Sequence, residues 1–337
     1  CLGNILQLFY SLADTRIVGS FLGEEALAAV GSTSSLNNMI IGFLLGMTNG
    51  FAIIVARYFG AKNERKMKKA VGATFVLGIL VAVFLTIVSV ACLIPIFRGL
   101  QTPQTLIPQA YAYFRIILLG MIFSMLYNIC ASLLRAIGDS LTPLFFLLVS
   151  TLLNIALDLF FICSLQLGVQ GAAAATVLAQ AVSFASCLLY LWKRYPILHF
   201  DRSALSVEKK MAAEMFQTGL SMGFMSSLIN IGSVALQGAI NSLGNTNYIV
   251  AQTAARKITE IFMLPFSVFG TKMATYCSQN LGAGEYRRIR NGIWIVTVIT
   301  WVWCAVMVLL SYTIVPALVR LVTASDTEEM VHAASLY

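Results

Sequence analysis

Apolar residues fill nine long stretches of the chain, and polar residues are confined to the gaps between them. The stretches lie at residues 1–14, 30–56, 70–97, 109–134, 141–164, 171–192, 212–241, 248–279 and 291–316. Most exceed the roughly 18 residues that mark a helix able to cross a bilayer. Backbone amides in hydrocarbon must bond within their own segment, so the predicted elements are helices. The expected fold class is therefore an all-α polytopic membrane protein. The first stretch is too short to cross about 30 Å of hydrocarbon. The chain opens on Cys1, and Val331 to Tyr337 reads as the beginning of a further span, so the chain reads as a fragment with both ends missing.

The pattern occurs twice. "SFLGEEALAAVG" at Ser20 to Gly31 is echoed by "NSLGNTNYIVAQ" at Asn241 to Gln252. "YFGAKNERKMKK" at Tyr58 to Lys69 is echoed by "NLGAGEYRRIRN" at Asn280 to Asn291. The offset is 221 residues at Leu22/Leu243 and 222 at Gly60/Gly282, so one inserted residue reconciles both matches. A duplicated unit built of hydrophobic spans is a common plan for transporters.

Composition agrees with this plan: 59% of residues are hydrophobic, 11% are charged, and the mean hydropathy is +0.84. The charges then orient the spans. Fifteen of the 22 basic residues fall in the loops after spans two, four, six and eight, six of them between Arg57 and Lys69. The opposite loops hold only Arg16, Arg98 and Arg320 among bases, with Glu24, Glu25, Asp326, Glu328 and Glu329. The positive-inside rule makes the first set cytoplasmic and places the N-terminus on the same side. The net charge of +8 is thus a topology signal, and its dispersal over loops argues against a nucleic-acid partner. The seven cysteines lie in apolar segments without a C-x-x-C and read as small hydrophobes. No H-E-x-x-H, Walker loop or dinucleotide fingerprint is present, so neither an enzyme nor a bound cofactor is expected.

Few residues remain that could carry chemistry. Asp158 sits in the fifth span with Asn154 four residues earlier, so both lie on one helical face. A carboxylate in hydrocarbon is costly unless paired, hydrated or protonated, and by default it marks an ion or proton path. A structural inter-helix hydrogen bond is the other reading. In the first span Gln7, Tyr10 and Asp14 make one polar stripe. Asp14 also suits an interfacial residue paired with Arg16. Thr176 and Gln180 at i, i+4 in the sixth span are the kind of pair that bonds between membrane helices. Gly42, Gly46 and Gly50 in the second span permit close helix approach, and Asn37, Asn38, Thr48 and Asn49 give that helix a polar side suited to a cavity. Pro265 is expected to kink the eighth span.

These residues converge on a known family. "LADTRIVGSFLGEEALAAVG", "ARYFGAKNERKMKKAV", "LRAIGDSLTP", "LLNIALDLFFI" and "LGVQGAAAATVLAQ" resemble the N-terminal half of a multidrug and toxic compound extrusion (MATE) transporter, with the DinF-like bacterial branch the nearest in pattern. "NSLGNTNYIVAQTAARKITEIFMLPFSVFGTKMATYCSQNLGAGEYRRIR" resembles the start of its C-terminal half. The resemblance implies two six-helix bundles, twelve transmembrane helices in the full protein, of which about nine are present. Residues 1–200 would be the N-terminal bundle with its first helix truncated. Residues 201–337 would hold helices seven to nine and the beginning of the tenth.

The resemblance also implies roles. Asp14 takes the place of the family aspartate that binds the coupling H⁺ or Na⁺, and Gln7 and Tyr10 line the same cavity. Asn154 and Asp158 match the fifth-helix pair, and Thr176 the sixth-helix threonine. The ion-coupling set is thus Asp14, Asn154 and Asp158, with Thr176 joining a candidate Na⁺ site. The cavity set is Gln7, Tyr10, Thr176 and Gln180. "GLSMGFMSSLINIGSV" carries no acid, so the C-terminal cation site of some branches is not expected here. The implied function is a secondary-active antiporter of the cytoplasmic membrane, a monomer exporting organic cations and drugs against H⁺ or Na⁺. The alternative is a flippase for lipids or lipid-linked oligosaccharides, which calls for a cationic cavity.

Overall fold

The computed structural model describes residues 16–99, 103–199, 208–242 and 246–313. A short helix, α1, covers residues 16–22. It is followed by α2 (Glu24–Gly60), α3 (Glu64–Gly99), α4 (Ile107–Leu119), α5 (Met121–Ala136) and α6 (Leu141–Leu159), which ends in a π-helical turn (Phe160–Ser164). Next come α7 (Gly168–Arg194), a 3-10 turn (Pro196–Leu198), α8 (Lys209–Ser242), α9 (Thr246–Gly282) and α10 (Tyr286–Thr313). No strand occurs among the described residues. The fold is all-α and polytopic, as the apolar pattern predicts. Among the described residues five helices are each long and apolar enough to cross a membrane, or six if α4 and α5, bent by 43° at their junction, count as one span.

Exposure is inverted relative to a water-soluble protein. On α3, Leu80, Phe84 and Ile87 share one face and are each at least 60% exposed. On α10, Trp294 and Trp301 pack edge to face on each other with centroids 6.5 Å apart and are as exposed as those residues. Lipid, which gains nothing by excluding apolar side chains, is the solvent that tolerates such faces.

In the predicted fourth span, 109–134, the sequence reading and the structure differ. The span is broken at Gly120, between α4 and α5. A Cβ at Gly120 would lie 2.2–2.9 Å from the Val177 side chain of α7. The bend and the missing side chain together let α7 press into the elbow. An unbroken apolar run carries no sign of this.

The chain divides into two compact units, residues 2–230 and 231–337, with the boundary inside α8. In the first, α2 packs on α3, α4 and α5, and α7 packs on α4, α5 and α6. Large side chains such as Leu44, Met47, Phe51, Phe97, Phe114, Met125 and Ile129 are fully buried there. In the second unit, α9 packs on α10, and Trp303 Nε1 donates to the Phe262 carbonyl at 3.2 Å, one turn before Pro265. A proline weakens the backbone bonding of the preceding turn, and a neighbouring donor can take its place.

The duplication is visible in the backbone. After α2, Lys62 has φ +53°, the Asn63 amide donates to Tyr58 O (3.1 Å) and the Lys62 amide to Phe59 O (3.0 Å). After α9, Gly284 has φ +74°, with Glu285 N to Asn280 O at 2.9 Å and Gly284 N to Leu281 O at 3.2 Å. Both helices end in the same left-handed cap, at matched positions of the repeat. The second copy has glycine where the geometry favours it, whereas the first carries the strain of a side chain. Lys62→Gly is therefore expected to raise stability by about 1 kcal/mol, read as a higher Tm of the detergent-purified protein.

"GDSLTP" builds a comparable device between α5 and α6. Gly138 (φ +102°) closes α5, and Asp139 then accepts from the Thr142 amide (3.1 Å), the Thr142 hydroxyl (2.7 Å) and the Tyr195 hydroxyl (2.9 Å). Burial pulls the Asp139 carboxyl upward, but the bonds from Thr142, Tyr195 and the Leu141 amide outweigh it and hold it below its ordinary value. Tyr195 is pushed up to about 12 by burial and by its bond to that carboxylate. Asp139→Ala is expected to cost about 1–2 kcal/mol, as the loss of a helix cap does. Because the folded carboxyl is depressed, its stabilisation is complete above the ordinary value of 3.8 and fades as pH falls through the lower folded one. Melting curves of both proteins at pH 7 and at progressively lower pH should show the difference shrinking only in strong acid.

Candidate ion site and cavity

Asn154 and Asp158 occupy successive turns of α6, and both are fully buried. The long apolar helix places them on one face, and α7 covers that face. With the Asn154 amide turned so that its nitrogen donates to Asp158 Oδ2 (3.1 Å), its oxygen accepts from the Thr176 backbone amide (3.3 Å). The opposite orientation offers only an Asn154 nitrogen to Thr176 Oγ1 at 3.4 Å and leaves two acceptors facing each other. The first orientation satisfies both ends, and we adopt it. Asp158, Asn154 and Thr176 thus form one connected group across the α6–α7 seam.

Two features let α7 come this close. Gly171, near the start of α7, has Phe161 of the π-turn against it, so that an added Cβ would stand 3.2 Å from the Phe161 Cβ. The π-turn itself begins two residues after Asp158. π-turns in membrane and soluble helices recur at functional sites, because the extra residue re-aims the side chains beside it.

Thr176 connects this group to a cavity of about 340 Å³ lined by α2, α4, α5, α6 and α7, which Asn154 and Asp158 themselves do not line. Drug-sized ligands occupy pockets of about 300–1,000 Å³. Thr176 and Gln180, one turn apart on α7, face into it, as do Asn37 and Asn38 of α2. Tyr113 of α4 and Ser124 and Asn128 of α5 complete a neutral polar side, which the sequence reading did not single out. Ser124 and Asn128 are spaced i, i+4 on α5, the same signal that draws attention to Thr176 and Gln180. Of the other polar residues of α2, Thr48 is buried and bonds back to Leu45 O at 3.1 Å, and neither it nor Asn49 lines the cavity. Gln7, Tyr10 and Asp14 lie outside the described residues.

The site offers the Asp158 carboxylate and the Thr176 hydroxyl, oxygen donors of the kind that suits a proton or a hard cation, with the Asn154 carboxamide donating its N–H to Asp158. Among the described residues no cluster of three or more His, Cys, Asp or Glu side chains could hold a metal ion. A buried carboxylate in hydrocarbon is costly when ionised. Neutralisation of such a group by a proton or a monovalent cation removes that cost.

The family model MatE matches residues 1–160 and 222–337, which together make up most of the chain. The chain belongs to the MatE family. MatE relatives include the "Probable multidrug resistance protein YoeA" of Bacillus subtilis (strain 168), 32% identical over 305 residues, covering 87% of this chain and 66% of that protein. The "FAD transporter" of Shewanella oneidensis (strain MR-1) is 24% identical over 303 residues, covering 87% of this chain and 65% of that protein. The chain thus spans slightly under two thirds of the length of these MatE relatives. Among solved structures, the "Outward-facing conformation of a multidrug resistance MATE family transporter of the MOP superfamily" superposes with a TM-score of 0.86 at 23% identity. It covers 99% of this chain and 74% of that one, a likeness of fold.

Proposed function

We propose that this MatE protein is a secondary-active efflux antiporter that exports organic cations and drugs in exchange for H⁺ or Na⁺. The observation that carries the reading is the fully buried Asp158, bonded to Asn154 and through it to Thr176, which lines a cavity of drug-accommodating size. An ion arriving at Asp158 neutralises the carboxylate and relieves its desolvation cost. For that to do work the ion must bind the two access states unequally. Asn154 and Thr176, which reach across the α6–α7 seam, are the groups that would carry the difference. Asp14, Tyr10 and Gln7 join the same site on the strength of the family resemblance. The protein would act as a monomer in the cytoplasmic membrane, its two halves forming two helical bundles and its N-terminus on the cytoplasmic side.

A flippase for anionic lipid-linked cargo calls for basic groups in the cavity, and no lysine or arginine is found among its described lining residues. The relative named a multidrug resistance protein supports the export reading. The test is efflux of a fluorescent organic cation from proteoliposomes, with a pH gradient and a Na⁺ gradient imposed separately. Gradient-driven efflux under one of the two conditions is the expected result. Flux independent of both gradients would overturn the reading.

A further inference from the structure

As far as Asn230, α8 belongs to the first unit and runs along α2. In the middle of this contact the two backbones touch. A Cβ at Gly46 would lie 2.6 Å from Gly223 Cα, and one at Gly50 would lie 2.5 Å from Gly219 Cα. At one end, Phe43 and Phe224 meet edge to face with centroids 5.8 Å apart. At the other end the contact changes character. Arg57, in the last turn of α2, grips Glu214 of α8 with both prongs, Nη1 to Oε1 at 2.8 Å and Nη2 to Oε2 at 2.9 Å. Lys69 of α3 reaches Glu208, the residue before α8, at 2.6 Å. The charges are sorted by element: both bases come from the α2–α3 hairpin and both acids from the entry to α8.

We propose that the Arg57–Glu214 and Lys69–Glu208 pairs form a latch that holds the start of α8 against α2 and α3, and that the latch opens and closes in the working cycle. The inference rests on the transport reading above. Three features suit a contact that must be broken and remade. The four side chains are between 27% and 52% exposed, so on opening each charge exchanges its partner for water. An enclosed pair would instead strand buried charges. The Arg57–Glu214 fork is bidentate, which fixes the closed geometry as well as stabilising it. Beneath the latch, the facing glycines give a seam with few side chains to withdraw. The latch is also placed where it can matter to the cavity, because α2 carries Asn37, Asn38 and Leu44 on its cavity side and Gly42, Gly46 and Gly50 on the α8 side.

The test is a distance measurement by double electron–electron resonance on the protein in lipid nanodiscs. Spin labels at Ala61→Cys and Ala213→Cys, both exposed, report across the latch once the seven native cysteines are replaced. The latched protein should give a dominant short-distance population. Arg57→Gln or Glu214→Gln should raise the longer-distance population about three- to fivefold, the scale of a partly exposed ion pair. Lys69→Gln should act in the same direction more weakly, and the charge swap Arg57→Glu with Glu214→Arg should restore the short distance. Unchanged distributions in all single variants would overturn the latch, and so would a shift that the swap fails to reverse. Because the distances are read without transport, a protein that moves no cargo yet shows the shift and its rescue refutes the antiporter reading and leaves the latch standing. One that transports without any shift refutes the latch alone.

Discussion

Asp158→Asn is expected to abolish gradient-driven efflux while leaving the protein folded. Asparagine fills the same space beside Asn154 and Thr176 but takes up neither a proton nor a cation. It also removes a carboxylate buried in hydrocarbon, whose ionised form is costly, so the Tm should hold or rise slightly. To move two access states from 1:99 to 99:1, an ion must bind them with affinities differing by about 10⁴-fold. A protein without that difference has no means of being driven, and the rate under an imposed gradient should fall by about two orders of magnitude or more. The measurement is efflux from proteoliposomes alongside thermal melting of the same preparation. Full gradient-driven efflux in Asp158→Asn would remove Asp158 from the mechanism. A large fall in Tm together with lost efflux would show that its role is to hold α6 against α7.

Gly46→Ala is expected to produce a large effect of a different kind. The added Cβ meets the Met222 carbonyl at 2.5 Å and Gly223 Cα at 2.6 Å, both of them backbone atoms. No rotamer relieves such a contact, so α2 and α8 must move apart. Overpacking of this kind costs about 1–3 kcal/mol, and Gly46→Leu should cost more. Gly31→Ala is the matched control on the same helix. Nothing lies within 4 Å of its would-be Cβ, and alanine in a helix is about 0.5–1 kcal/mol better than glycine. The two variants should therefore move the Tm in opposite directions. Equal shifts would show that the α2–α8 seam opens to admit a methyl group at no cost.

The site was legible in part, and the reasons differ residue by residue. Asp158 and Asn154 stand out because the fifth span is otherwise apolar, and a polar group in hydrocarbon requires an explanation. The helix and its π-turn occupy 141–164, the same bounds as the apolar run. Thr176 and Gln180 were visible as a pair, and both face the cavity. Tyr113, Ser124 and Asn128 were not singled out, because tyrosine, serine and asparagine in membrane helices serve structural hydrogen bonds equally well. The glycine triad of α2 announces a close neighbour. Its spacing does not say which helix that neighbour is; Gly219 and Gly223 repeat the same G-x-x-x-G spacing, but spacing alone does not match one stripe to the other.

The pattern of residues along this chain settles what each segment must be. An apolar run of sufficient length has to be a helix in lipid, a duplicated pattern has to give a duplicated cap, and a basic loop has to resist crossing the membrane. These are demands of local chemistry and solvent, and they hold before any helix finds its partner. The folded molecule supplies what depends on partners. It brings Asn154 to Thr176 across the α6–α7 seam, bends the fourth span at Gly120 around Val177, and pairs Arg57 and Lys69 with acids about 140 to 160 residues away. Such choices are made by packing and charge complementarity between surfaces distant in sequence, and hydropathy along the chain does not encode them.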